Sequence, residues 1–376
     1  MRAFDHGTVV RTAVLIGAYW FCDCRASVAD DVAPRGRLLF LGIAYDEAPP
    51  RGHGPGHYDY APENVARLLR NQAATLFARI DVVTIPGAAA TRNRIVQAFR
   101  DLQREARPQD FVVVYWGTHG GVARNGWAAN LRDGSQVFGG DIKTALSKVA
   151  CPVLCVISTC GAGGFPQTGR DGVELPANVT ALCACRGRQS TTNEMDRALC
   201  EALAGFGDHD ANGVVTLRET IDYIPKRYNQ LFRGVPPTEE LLPVIQHSES
   251  APLDQPLSRV DGSYAAVARE GQWYGVTVLE RKEASARVRF LGFDATTANG
   301  GFSMPDADVV GESIDFPGGT SPIDVEWEGT WYPAVILNRS RRGLRIHYIG
   351  YPKTDDETVP RSRVRFPFAD ADRERR

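Results

Sequence analysis

The pattern of apolar and polar positions changes character along the chain. From Arg37 to Tyr45 the segment "RLLFLGIAY" is almost continuously apolar, as in a parallel-sheet strand covered on both faces. "PENVARLLRNQAATLF" follows with helical spacing at Val65, Leu68 and Leu69, which predicts a helix over 62–77, and "IDVVTI" predicts a strand over 80–85. "TRNRIVQAFRDLQREA" is a second amphipathic helix with Thr91 as its N-cap. "FVVVYW", "PVLCVIS" and "VTALCAC" are further apolar strands, with the helix "GDIKTALSKV" between the first two. This order predicts an α/β domain over residues 36–246, a mostly parallel sheet with flanking helices. Chemistry in such folds sits where loops leave the carboxyl ends of the strands.

After a polar, proline-containing linker expected at 247–258, the texture becomes short alternating strands. "EGQWYGVTVLERKEASARVRFLGF" (Glu270 to Phe293) matches "EGTWYPAVILNRSRRGLRIHYIGY" (Glu328 to Tyr351) without a gap, at a constant offset of 58 residues. The match predicts two copies of one small all-β module, at 259–310 and 322–366. Each copy carries its own apolar alternation, so the pair is expected to fold without the preceding domain.

Composition narrows the classes. The 376 residues carry 43 basic and 45 acidic side chains, so nothing draws the chain to nucleic acid. Residues 1–29 read as a secretory signal peptide. Arg2 and Arg11 precede the apolar "TAVLIGAYWF", and Ser27 and Ala29 stand at a cleavage position. That run is shorter than the roughly 20 residues of a membrane span, and no later stretch is long and apolar enough for one. The expected location is secreted, periplasmic or in the cell envelope.

Removing the signal leaves six of the eight cysteines, at 151, 155, 160, 183, 185 and 200. They cluster within 50 residues and do not staple the whole chain. Cys151 and Cys155 with Cys183 and Cys185 lack zinc-knuckle spacing and lie inside apolar runs, which predicts buried thiols.

Two strand ends stand out. "DFVVVYWGTHGG" stops at His119 before Gly120, and "CPVLCVISTCGAGGF" stops at Cys160 before Gly161. A cysteine nucleophile needs a thiolate close to an imidazole, with N–H groups aimed at the developing oxyanion. Neighbouring strand ends supply both side chains, and the glycines let a substrate approach the backbone. Further on, Asp208, Asp210, Asn212, Gly213, Thr216 and Glu219 occupy positions 1, 3, 5, 6, 9 and 12 of a calcium-binding loop. A metal-free polar turn explains the same residues, and both readings stay open.

Together these residues carry a resemblance. Residues 37 to about 228 resemble the caspase-like cysteine peptidases, on "VVVYWGTHGG", "VISTCGAGGF" and "LCACRGRQSTTNE", with "DANGVVTLRETIDYI" similar to a segment after the catalytic core of bacterial members. The resemblance implies His119 as general base, Cys160 as nucleophile, and the N–H groups of Gly120 and Cys160 as oxyanion hole. The implied reaction is peptide-bond hydrolysis through a thioester, with no cofactor needed for catalysis and calcium as a structural ion at 208–219. Metacaspases carry an Asp two residues before the nucleophile and an acidic pair in the next strand. Here Ser158, and Gly187 with Arg188, stand in those places, so Ser158, Arg186 and Arg188 are expected at a pocket for acidic or uncharged side chains. The repeats resemble Tudor or Agenet-like SH3 barrels. That implies an aromatic-lined groove for a peptide ligand at Trp331, Tyr332, Tyr348 and Tyr351, with Asp355, Asp356 and Glu357 near its rim, although core packing explains the same aromatics. The alternative to an endopeptidase is a catalytically silent scaffold that binds through its barrels; the presence of both His119 and Cys160 favours the enzyme.

Overall fold

The computed structural model describes residues 35–365 apart from 45–60, 124–125, 132, 169–171, 188–193, 210–211, 232–241, 261–262, 270–271, 282–284, 292–306, 311–313, 316–321, 341–342, 349–350 and 352. The segment read as a signal peptide, together with Arg188 and Asp210, lies outside the described residues.

The first part of the chain is an α/β layer built on one mostly parallel sheet. Its elements are β1 (Arg35–Ala44), α1 (Ala61–Gln72), β2 (Phe77–Ile85), α2 (Arg92–Glu105), β3 (Phe111–Gly117), β4 (His119–Ala123), β5 (Gly126–Asn130), β6 (Gln136–Phe138), α3 (Gly139–Leu146), β7 (Val153–Ile157) and β8 (Val179–Cys183). They continue with α4 (Glu194–Glu201), β9 (Val214–Thr216), α5 (Leu217–Leu231), β10 (Val244–Gln246) and β11 (Pro256–Arg259). The central sheet runs in the order β10-β8-β7-β3-β1-β2, and only β10 is antiparallel to its neighbour.

Every residue of β3, β7 and β8 is buried, which is why these strands read as unbroken apolar runs. Alternation along each strand divides them between two cores. Leu38, Phe40, Val113, Tyr115, Leu154 and Val156 enter one, with residues of α1, α4 and α5. Leu39, Leu41, Val112, Val114, Val153 and Cys155 enter the other, with residues of α2 and α3. Full burial of each aliphatic side chain contributes about 1.5–3 kcal/mol.

Thr91 caps α2 as expected, its side chain accepting from the Arg94 N–H. Two boundaries differ from expectation. Helix α1 stops at Gln72, because Phe77 is the first residue of β2 and pairs with Arg35. The sequence "NEMDRALCEALAGF" predicts a helix over 193–206, but the chain leaves α geometry after Glu201 for a wide turn, where Gly205 has φ of +108° and a Cβ would sit 2.9 Å from Val260.

The repeats are two five-stranded antiparallel sheets. The first holds β12 (Tyr264–Arg269), β13 (Gln272–Arg281), β14 (Ser285–Phe290), β15 (Ala307–Val310) and β16 (Ile314–Asp315), in the order β15-β14-β13-β12-β16. The second holds β17 (Pro322–Trp327), β18 (Thr330–Ser340), β19 (Gly343–Tyr348), β20 (Glu357–Val359) and β21 (Val364–Arg365), in the order β20-β19-β18-β17-β21. The offset of the sequence match recurs in the pairing: Val276 faces Phe290 as Ala334 faces Tyr348, and an irregularity follows Val278 as it follows Ile336.

The expected linker is not a free tether. Its end forms β11, which pairs with β9; the N–H groups of Leu217 and Arg218 donate to Gln255 and Leu253, and Leu257 is buried. Nor is the first repeat packed as a separate module. Tyr264, Ala266 and Leu291 share one buried cluster with Met195, Ala198, Leu199 and Tyr223.

Candidate active site

β3 and β7 are adjacent and parallel. Trp116 pairs with Ile157, and the Ser158 N–H donates to the Trp116 carbonyl at 2.8 Å. The two strands therefore leave the sheet side by side, with His119 three residues past Trp116 and Cys160 three residues past Ile157. The backbones beyond remain in contact. A Cβ added to Gly161 would lie 3.0 Å from the Gly121 Cα, and one added to Gly120 would lie 2.6 Å from the Thr159 Oγ1. No ordinary Cβ tolerates the second distance, so glycine at 120 is what lets the two ends close. Gly161 also holds a left-handed φ of +66°, which turns the chain directly after Cys160 into a short helical turn over 162–164.

His119 does not end in a plain loop, as the sequence suggested. It opens β4, the first strand of a three-stranded antiparallel sheet with β5 and β6, and pairs with Asn130. This hairpin brings in Trp127, which is fully buried and donates its indole N–H to the Thr159 Oγ1 at 2.8 Å. The Thr159 hydroxyl in turn donates to the Cys160 carbonyl at 3.1 Å. Trp127 packs edge-on against Trp116 and Phe165, with ring centroids 5.9 and 5.7 Å away. The His119 hairpin and the Cys160 turn are thus tied by one buried hydrogen bond and one aromatic cluster.

Cys160 and His119 are both partly exposed, whereas Cys151, Cys155, Cys183, Cys185 and Cys200 are buried. All six are free thiols. Burial pushes the Cys151 thiol up to about 12 and raises Cys155, Cys183 and Cys185 as well. These four are protonated and inert at neutral pH. Cys185 lies just behind the site and donates to the Thr159 carbonyl at 3.6 Å.

The other residues singled out from the sequence divide. Ser158 is 1 % exposed, while Arg186 is exposed next to the turn: a Cβ on Gly163 would meet the Arg186 Cα at 2.9 Å. Ala184 is buried although Arg186 is exposed, since β8 ends at Cys183. In the calcium-type loop, Asp208 accepts the N–H groups of Asn212 and Gly213. Glu219 accepts those of His209 and Thr216, while the Thr216 hydroxyl accepts the Glu219 N–H, a capping box that starts α5. Among the described residues no three or more His, Cys, Asp or Glu side chains converge as metal ligands.

Three of the four residues expected at the groove of the second repeat cluster together. Tyr332, Tyr348 and Tyr351 pack together with centroids 5.8–6.1 Å apart. Their tryptophan neighbour is Trp327, 6.0 Å from Tyr332 and 46 % exposed. Trp331 adjoins Tyr332 along β18, and successive strand residues point to opposite faces, so Trp331 belongs to the other side of the sheet. The Tyr348 hydroxyl donates to Glu357, which also pairs with Arg363.

No family model and no curated protein matches the chain. Among solved structures it is similar to protein GSU0716 from Geobacter sulfurreducens, at a TM-score of 0.42 and 16 % identity over 60 % of this chain and 98 % of that one. No helix among the described residues is long and apolar enough to cross a membrane.

Proposed function

We propose that the chain is a caspase-like cysteine endopeptidase acting on peptide or protein substrates. The observation that carries this reading is the backbone contact between His119–Gly121 and Thr159–Gly161 at the ends of two adjacent parallel strands. His119 takes the Cys160 proton and the sulfur attacks the scissile carbonyl. The N–H groups of Gly120 and Cys160 receive the oxyanion, and the imidazolium returns the proton to the leaving amine. Water, deprotonated by the same imidazole, then hydrolyses the thioester. Ser158 and the exposed Arg186 support a pocket without a carboxylate, with cleavage after acidic or uncharged residues.

We read the two five-stranded repeats as SH3-like barrels, and the Trp327–Tyr332–Tyr348–Tyr351 cluster as the groove for a peptide ligand. For the 208–219 loop we propose a structural calcium held by Asp208, Asp210, Asn212, Thr216 and Glu219. Gly213 supports it with a φ of +81° at the sixth position, where calcium loops turn sharply, and β9 pairs with β11 as such loops pair with a partner.

Labelling with a thiol-directed peptide inhibitor, followed by mapping of the modified cysteine, tests the assignment. Modification at Cys160 is expected, along with loss of peptide cleavage in Cys160→Ala and His119→Ala and retention of most of it in Cys155→Ala. A Cys160→Ala protein that cleaves as fast as its parent refutes the dyad. An intact dyad that never turns over peptides would support the silent scaffold.

A further inference from the structure

The two repeats share one backbone plan but differ in sequence at the face that the first presents to the rest of the molecule. In the first, the Gly275 N–H donates at 3.0 Å to the carboxylate of Glu201, a residue of α4 with no exposed surface. Glu201 also accepts from Arg197 Nε at 3.1 Å, Arg227 Nη2 at 3.1 Å and the Tyr223 hydroxyl at 3.3 Å. The buried Arg197 guanidinium lies 4.1 Å over the centre of the partly buried Tyr274 ring, a cation–π contact. Burial opposes the Glu201 charge, yet the two guanidiniums and the Gly275 N–H hold its carboxyl below the ordinary range. Burial beside Arg227 lowers Arg197 to about 10, which still leaves it charged at neutral pH.

The second copy cannot make this contact. At the same offset Pro333 replaces Gly275, and proline has no N–H to give and carries a Cβ. On Gly275 such a Cβ would fall 2.7 Å from the Glu201 Cγ. Asp324 replaces Ala266, a residue buried in the shared core of the first repeat. Tyr332, the counterpart of Tyr274, packs against the exposed Trp327, whose own counterpart is Arg269.

We propose that the first repeat is an intramolecular clamp: its Tyr274–Gly275 face docks on Arg197 and Glu201 and holds α4 in place behind the active-site end of β8. Its Tyr274 ring is covered from within the chain by Arg197, whereas in the second copy Tyr332 packs against the exposed Trp327. Helix α4 is a useful element to hold, because Met195, Ala198 and Leu199 pack in the same cluster as Leu182 and Ala184, where the chain leaves β8 toward Arg186.

Hydrogen–deuterium exchange on the full chain tests the clamp without reference to cleavage, so its outcome is separate from that of the peptidase reading. Gly275→Val drives a side chain into Glu201, and Arg197→Met removes the cation while keeping length. Both are expected to raise exchange by about tenfold or more, together, in peptides from 194–201 and 264–281, while β1 and β3 stay protected. Arg197→Lys is expected to restore part of the protection. Faster exchange in 264–281 with α4 unchanged would overturn the proposal, as would Arg197→Met exchanging like the parent. Loss of protection in β3 as well would also overturn it, by showing one cooperative unit in place of a clamp on a stable sheet.

Discussion

Gly120→Ala is the smallest change that separates the closure of the site from the stability of the fold. The added Cβ would sit 2.6 Å from the Thr159 Oγ1, 2.9 Å from the Thr159 Cβ and 2.9 Å from the Trp127 Nε1. Thr159 cannot swing aside cheaply, because its hydroxyl accepts from Trp127 at 2.8 Å and donates to the Cys160 carbonyl. The strand ends must separate by some tenths of an ångström or more. Overpacking of this kind costs about 1–3 kcal/mol in stability. Misplacing reacting groups by about 1 Å costs about 100-fold in rate, which is about 2.7 kcal/mol in the barrier. Denaturant midpoints and kcat/KM on a short peptide separate the two effects. The partner variant Thr159→Ala removes the nearest atom but gives up the bond to Trp127. The double variant should therefore lose less than the sum of the single losses, with recovery incomplete because the Thr159 Cβ remains. Strict additivity, or a Gly120→Ala protein with parental midpoint and turnover, would refute the closure argument.

Three further outcomes follow from charges and loops. Burial works against the Asp110 carboxylate, but its bonds from the Arg37 side chain and from the Arg37 and Arg107 N–H groups hold it below its ordinary value near 3.8. That stabilisation is full above about pH 4 and is lost as pH falls through the lower folded-state value. Asp110→Asn should then cost about 1–3 kcal/mol in urea midpoints at pH 7, with the difference from the parent shrinking below about pH 4. Arg37 retains Asp81 at 3.5 Å, which keeps the cost from being larger. Asp196 has the opposite sign. Burial holds its carboxyl well above the usual range, and its Oδ1 has no hydrogen-bond partner among the described residues. Asp196→Asn should be the more stable protein at pH 7 and equal to the parent below about pH 4; a destabilised Asn variant at pH 7 contradicts this. Millimolar calcium should raise the melting temperature of the parent and not of Asp208→Ala; equal shifts in both would exclude the loop as the site.

The parts of the fold legible in the sequence are those whose pattern is set locally. β1, β3 and β7 are buried on both faces, so their unbroken apolar runs could mean little else, and the Thr91 cap has a one-residue signature. The repeat was legible because both copies keep the same register. The β4–β5 hairpin was not, since two glycines follow His119 and erase the alternation that marks a strand. Its signal was the Asn125–Gly126 pair before Trp127, a common hairpin turn. Trp327 was passed over for a similar reason. Aligning the copies highlights Trp331, which has a tryptophan counterpart, whereas alternation from the buried Val325 would have placed Trp327 on the face of Tyr332.

The docking of the first repeat belongs to a different class of information. Gly275 and Glu201 are 74 residues apart, and neither position carries a local pattern that points to the other. A buried Glu with two buried Arg neighbours is costly to assemble, and removing one partner leaves an uncompensated charge. Such a cluster survives only where the geometry around it is closed, and here closure comes from an N–H that glycine supplies and proline cannot. The informative feature in the sequence was thus the difference between the copies at Gly275 and Pro333, and at Ala266 and Asp324. Where one copy keeps small residues and a free backbone donor and the other replaces them with proline and a carboxylate, the first copy is the one that meets the preceding domain.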